Sequence, residues 1–396
     1  MLKHITILLP SLVSVFWLAL FLLNRKRNSH TQNIWTLALV CIAVSMGVMA
    51  FFWNHNGNYS LYYKLDILDN LATLSFMPFI FRYFREVTGD RRRWTNLKNI
   101  LLFLPPILLG GLSLVVYLIM GEEQATAYAR RVAENPDSLW LNGSVYDRIL
   151  FVANEYLYSL FIGIQGVWVL VYAFRGVLGF RHRLNDFFSD TDDKDIEHHQ
   201  AAVWGLLALL LLTFITAITG YLQYVTYDNR IAVITASIGI ILFYICYHIS
   251  LSHYTAESFD RELTRNAQPA YDFDGEPENK TNSYRKFIPL LQKVIEEDRL
   301  FLQKQLHLDE LAGRVGTNRK YISRILKEEY HCSFWEFINR HRIAYAKKQA
   351  LNNPTLTVDE LSDQCGFSQT SAFCRTFRQY EGMPFKEWMQ KQKNRV

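Results

Sequence analysis

The chain has 396 residues; half are apolar, 15% are aromatic, only 20% are charged, and the formal net charge is +5. That length suits two or three domains, and the averages hide an asymmetry: residues 1–250 hold long apolar runs and residues 255–396 do not. Five cysteines (Cys41, Cys246, Cys332, Cys365 and Cys374) make no framework of close pairs, which argues against a disulfide-stapled secreted protein.

In chain order, seven segments approach the roughly 20 apolar residues needed to cross a bilayer. They run over 4–23, 34–54, 62–81, 99–119, 149–174, 201–226 and 230–250. No small-residue cleavage site follows the first, and Arg25, Lys26 and Arg27 come directly after it, so it reads as an uncleaved helix. The third, YYKLDILDNLATLSFMPFIF, is the most polar. Topology retains it: the basic stretches 25–27 and 82–98 belong on one side, and two helices between them satisfy that. The fifth segment leads into Arg175, Arg181, Arg183 and Lys194, whereas the long loop after the fourth offsets Arg130, Arg131 and Arg148 with carboxylates. Positive-inside bias then puts the N-terminus outside and the C-terminus in the cytoplasm.

Carboxylates inside these segments are the unusual feature. Asp66 and Asp69 share a face of the third segment with Tyr62 and Thr73, and Glu155 follows Asn154 in the fifth. Charge in lipid costs a few kcal/mol or more, so such groups face a bundle interior or a wet cavity. Two readings stand: an interhelical polar network with Lys64 as counter-ion, or a ligand pocket open to the outside lined by Asp66, Asp69 and Glu155. Glu197, His198 and His199 lack HExxH spacing and read as a solvated loop.

After the seventh segment, 254–266 reads as a polar helix, and 267–283, rich in Pro, Gly, Asn and acid, as a flexible linker. From Tyr284 onward there are 20 Lys/Arg against 13 Asp/Glu, a net +7, which suggests an anionic partner. This tail contains a repeat. Residues 306–337, LHLDELAGRVGTNRKYISRILKEEYHCSFWEF, align with 356–388, LTVDELSDQCGFSQTSAFCRTFRQYEGMPFKEW. Each copy reads as a short helix with acid in its first turn, a glycine stop, an N-cap (Asn318 or Ser368) and a second helix. The second helix exposes Arg319, Lys320, Ser323, Arg324 and Lys327 in copy one, and Gln369, Thr370, Ser371, Arg375 and Arg378 in copy two. Arg and Lys suit phosphates and guanine; Gln, Ser and Thr suit other base edges. The segment FWEFINRHRIAYAKKQALNN joins the copies as one helix, able to hold two reading heads toward successive major grooves. Cys365, Cys374 and His331 match no standard zinc spacing.

On these marks, LDELAGRVGTNRKYISRILKEE, RIAYAKKQAL and TVDELSDQCGFSQTSAFCRTFRQYEGMPFKEW, residues 284–392 resemble the DNA-binding domain of the AraC/XylS family of bacterial transcription regulators. The resemblance covers about the last quarter of the chain and implies a seven-helix domain with two helix-turn-helix units. His331 departs from it, standing opposite Gly382 where the family has glycine, which puts the turn after the first recognition helix in doubt.

The expected architecture is all-α: a seven-transmembrane helical bundle over 1–252, a cytoplasmic linker over 253–283 and a double helix-turn-helix domain over 284–396. The expected function is a non-enzymatic, membrane-bound one-component transcription regulator in a bacterial inner membrane. No cofactor or metal is called for. The expected partners are double-stranded DNA and the lipid bilayer, then a small-molecule ligand, a second copy of the chain and RNA polymerase. The alternatives are a transporter or membrane enzyme with a fused DNA-binding reporter domain, or a regulator whose membrane part only anchors it.

Overall fold

The computed structural model describes residues 2–54, 58–89, 101–134, 139, 143–191, 194, 196–222, 228–266 and 283–393. Every regular element among them is helical, apart from one isolated antiparallel bridge between Phe188 and His307. The chain divides into two compact units: residues 1–177 with 197–257, and residues 178–196 with 258–396. The stretch 178–196, which the sequence places in a loop of the membrane part, thus belongs to the second unit.

The first unit is built from α1 (Leu2–Leu23), α2 (His30–Asn54), α3 (Tyr59–Thr88), α4 (Leu104–Glu134), α5 (Val145–Phe151), a π-helical turn (Val152–Leu157), most of α6 (Tyr158–Asn185), α7 (Ile196–Leu222) and α8 (Asp228–Leu251). α1 packs on both α2 and α8, α2 on α3, and α3 on α4. Among the described residues, five helical stretches are long and apolar enough to cross a membrane: Thr6–Leu23, His30–Phe51, Leu104–Glu134, Val145–Asn185 and Val233–Leu263. α3 has 30 residues, carries Lys64, Asp66, Asp69 and Asn70, and is not in that set. Many large apolar side chains on these helices are exposed, among them Leu12, Phe16, Leu118, Ile164 and Ile240; beyond residue 258 only Leu290 and Leu351 are, among the described residues. α4 breaks at Gly121 (φ 72°), and Glu122–Glu134 continues as a helix burying Ala125, Tyr128 and Ala129. The sequence places that stretch in a loop. His199, read as solvated, is buried in α7 between the Tyr83 hydroxyl (3.2 Å) and the Tyr254 carbonyl (3.0 Å).

In the second unit, α9 (Ala256–Asn266) precedes the expected linker, of which 267–282 lie outside the described residues. There follow a 3-10 turn (Ser283–Phe287), α10 (Ile288–Glu296), a second such turn (Leu300–Leu302), α11 (Leu308–Val315), α12 (Arg319–Glu328), α13 (Phe334–Asn352), α14 (Val358–Gln364), α15 (Thr370–Glu381) and α16 (Phe385–Lys393). α13 is the shared wall of two cores. Its Phe334, Phe337 and Ile338 join Leu311, Ile322, Ile325 and Leu326. One turn further on, Ile343, Ala346 and Ala350 join Leu361, Phe373, Phe377 and Trp388. The 3.6-residue period lets one helix bury apolar groups toward both partners as its face rotates.

Candidate nucleic-acid interface

Two helix pairs, α11–α12 and α14–α15, present the residues picked out by sequence. In the first pair Gly316 ends α11 in the left-handed region (φ 77°), and Asn318 caps α12 by accepting from the Tyr321 N–H at 3.1 Å. Burial of Ile322, Ile325 and Leu326 fixes the rotation of α12. Arg319, Lys320, Arg324 and Lys327 are therefore exposed and Ser323 half-buried. In the second pair Gly366 (φ 79°) makes the turn. The N-cap of α15 is Gln369, with no side-chain cap bond, rather than Ser368 as the sequence suggested. Burial of Ala372, Phe373, Thr376 and Phe377 leaves Gln369, Ser371, Arg375 and Arg378 exposed and Thr370 half-buried.

These exposed groups have neighbours. Arg324 donates to Glu328 at 2.8 Å and lies 4.7 Å over the Tyr284 ring. Tyr284 and Arg324 in turn hold the Glu328 carboxyl below its usual range. Lys327 donates to Asp186 at 3.2 Å, and Arg319 lies 5.5 Å over the Phe187 ring. In the second pair Thr370 donates to Asp359 at 2.6 Å and Ser371 to Gln369 at 3.2 Å. Exposed cations held by single carboxylates remain exchangeable, since surface ion pairs contribute only about 0–1 kcal/mol. A row of DNA phosphates can replace them.

Arg342, on α13, was not singled out by sequence. It is fully buried and donates to the carbonyls of Phe301 and Gln303, each at 2.7 Å, and to the Ser189 hydroxyl at 3.2 Å. Burial pushes it down to about 10, and the Asp190 carboxylate opposes that shift. It is a structural cation, closed to DNA.

Of the intramembrane set, Asp66 accepts from the Tyr117 hydroxyl at 2.8 Å and from Asn154 Nδ2 at 3.0 Å. Asn70 Nδ2 donates to Asn154 Oδ1 at 3.2 Å. The Thr73 hydroxyl lies 2.8 Å from Asp69 and 2.5 Å from Ser45 Oγ. Asp66 thus faces α4 and the π-helical turn, while Asp69 reaches α2 through Thr73. Lys64 is not their counter-ion: it pairs with the exposed Glu122 at 3.0 Å. Glu155 sits in the π-helical turn, and its side chain lies outside the described residues. Cys365 is buried and Cys374 exposed, and no group of three or more His, Cys, Asp or Glu that could hold a metal occurs among the described residues.

Residues 311–391 match the model of a helix-turn-helix domain. Over part of its length the chain is also similar to transcription regulators. The HTH-type transcriptional regulator GbdR of Pseudomonas aeruginosa is 30% identical over 104 residues, covering 26% of this chain and 28% of that one. The Msm operon regulatory protein of Streptococcus mutans is 26% identical over 105 residues, 26% of this chain and 36% of its own. The regulatory protein PocR of Salmonella typhimurium is 32% identical over 78 residues, 20% and 25% respectively. The chain therefore spans about a quarter to a third of the length of these curated relatives. No solved structure matches it. The class so defined is an all-helical protein with a C-terminal helix-turn-helix domain of the transcription-regulator type, preceded by helices apolar enough to cross a membrane.

Proposed function

We propose that the protein is a membrane-bound one-component transcription regulator, in which an AraC-type domain with two helix-turn-helix units reads double-stranded DNA on the cytoplasmic side of a seven-helix bundle. One observation carries this: two helix pairs of the same design each turn a cationic and polar face of their second helix outward. The helix-turn-helix match over 311–391 and the five apolar helices support it. The third and sixth crossings, α3 and α7, complete the seven, and the N-terminus lies outside. Signal enters through the bundle. The Asp66–Tyr117–Asn154 links tie helices that must move relative to one another if the bundle has two states, and a ligand acts only by binding those states unequally.

Three measurements test this. Reporter fusions at residues 28, 90, 130 and 185 should read inside, inside, outside, inside; an outside signal at 90 removes α3 from the spanning set. Genome-wide occupancy mapping of the tagged full chain should give discrete sites that disappear in an Arg324→Ala, Arg375→Ala double variant. Asp69→Asn and Glu155→Gln should lock output high or low, and a wild-type response from both makes these carboxylates purely structural.

A further inference from the structure

The connection between α6 and α7 carries Asp186–Asp190, and this stretch is built into the second unit. The Ser189 N–H donates to the Leu306 carbonyl at 3.1 Å, and the Leu308 N–H donates to the Phe187 carbonyl at 3.0 Å. This is a short antiparallel pairing centred on Phe188 and His307. Phe188 is buried, with its ring 5.0 Å from that of His307. The Ser189 carbonyl accepts from the buried Asn339 side chain at 2.9 Å.

The ends of the stretch reach both helix pairs. Asp186 accepts from Lys327, and Phe187 lies beneath the Arg319 guanidinium. Asp186 and Phe187 form one wall of a cleft of about 460 Å³ whose other wall is the exposed face of α12, including Lys320 and Arg324. At the opposite end the Asp190 carboxylate accepts from the Ser368 N–H at 3.3 Å, just ahead of α15. A carboxylate on a recognition-helix lysine and another on a backbone N–H at the entry to the second recognition helix are the contacts that DNA phosphates make. The main-chain pairing, meanwhile, is what holds a peptide strand on its receptor.

We propose that Asp186–Asp190 is an intramolecular ligand of the helix-turn-helix domain, and that it competes with DNA for Lys327 and Arg319. The proposal rests on the DNA-reading function above and adds its regulation. The stretch lies between two helices assigned to the bundle, so a change that draws it away exposes the cations, and one that leaves it slack keeps them covered. Apparent DNA affinity then scales with the fraction of molecules in which the stretch is undocked.

The test uses the full chain in lipid nanodiscs and a labelled random-sequence duplex at low salt, which reports phosphate contacts without requiring a known target. Asp186→Asn with Asp190→Asn keeps size and removes both charges; Ser189→Pro removes the N–H given to Leu306. If nine molecules in ten are docked, either change raises duplex affinity by about tenfold. Amide exchange is read in parallel. Adding duplex to wild type should speed exchange at Ser189 and Leu308, because DNA displaces the stretch. Unchanged affinity in both variants, or duplex bound with Ser189 and Leu308 still protected, overturns the competition while leaving the DNA-reading function standing. Duplex binding by neither wild type nor variants sinks that function and the proposal together. Asp186→Asn alone, at a partly exposed position, separates loss of competition from loss of fold: it should keep the Leu308 amide partly protected and still raise affinity.

Discussion

The two helix pairs of the second unit share a plan and differ in where its strain and its charge are held. Copy one turns at Gly316, with open space where a side chain would start; copy two turns at Gly366, pressed against the backbone of Leu302. Copy one caps its recognition helix with Asn318, whereas copy two puts its strongest cap one helix earlier, where Thr357 and Glu360 exchange hydrogen bonds. Copy one leaves α12 through His331 at φ 49°, and copy two leaves α15 through Gly382 at φ 71°. The cations of copy one are engaged by Asp186, Glu328 and the Phe187 and Tyr284 rings. The two copies therefore share the buried face and the glycine turn, while the contacts to their exposed groups differ.

The largest effect should separate the two turn glycines. Each has φ near 80°, where any side chain costs roughly 1–2 kcal/mol. Gly316→Ala should lose about 0.5–1 kcal/mol, the rest of that cost being offset by the stiffer unfolded chain. In Gly366→Ala the new Cβ also meets the Leu302 carbonyl, and backbone there must move. Its loss should be about 3 kcal/mol or more, in the range of strain and overpacking combined. Native-state hydrogen exchange at Phe377 and Ile325 in the full chain reads each copy separately. Equal losses would remove the packing difference between the turns.

Next come the reading heads. Arg375→Ala and Arg324→Ala should each weaken DNA binding by about 1–3 kcal/mol if they touch bases, or reduce the salt slope by about one if they touch phosphate. Arg324 must first leave Glu328 and the Tyr284 ring, so its loss should fall at the low end. Duplex titrations at several salt concentrations measure both. Wild-type affinity in both variants would remove α12 and α15 as the reading helices.

A smaller effect lies in the caps. Thr357→Ala removes the acceptor of the Glu360 N–H and should cost about 1 kcal/mol, local to α14. The matching position in copy one is His307, whose N–H reaches Glu310 at 3.3 Å, and His307→Ala should cost less. Backbone and side-chain hydrogen bonds from Thr357 hold the Glu360 carboxyl below its usual value. That contribution is complete above the ordinary glutamate value and is lost as pH falls through the lower, folded one. Acid should therefore fray α14 at its start, seen as loss of helical chemical shifts at Asp359 and Glu360. A start of α14 that stays intact through that range breaks the assignment.

Much of this was legible because it follows from spacing. The repeat offset, the glycines at 316, 366 and 382, and the alternation of buried and basic positions on α12 and α15 are local in sequence; the basic positions are exposed, whereas Ser323 and Thr370, read as exposed, are half-buried. Ser368 as a cap did not come out as read: the helix starts one residue later, so Gln369 takes the N-cap position, and the Ser368 N–H donates to Asp190. Nor did the role of 186–190, whose partners lie more than a hundred residues away; the only local signal was a pair of phenylalanines, Phe187 and Phe188, in a polar connection. Arg342 carries no local signal of its burial, because that depends on the path of Phe301–Gln303. Lys64 pointed toward Asp66 by proximity in sequence, and the helix beyond Gly121 supplied Glu122 instead.

The smallest prediction concerns the one departure from the repeat. His331 stands opposite Gly382, and the chain nevertheless takes the left-handed conformation there. The Cys332 N–H, donated to the Leu326 carbonyl at 3.1 Å, holds the turn in place, and burial of Cys332 and Phe334 on the first core fixes the path beyond it. Glycine relieves the steric cost of roughly 1–2 kcal/mol but loses more freedom on folding. The two nearly offset, and His331→Gly should stabilise copy one by about 0.5 kcal/mol. Gly382→Ala runs the exchange in the opposite direction and should cost copy two a similar amount or slightly more, since nothing crowds the position. Exchange at Ile325 and Phe377 again reads the two separately. A loss of stability in His331→Gly would mean that the imidazole contributes contacts of its own, and the turn of copy one would then be a different device rather than the same one at higher strain.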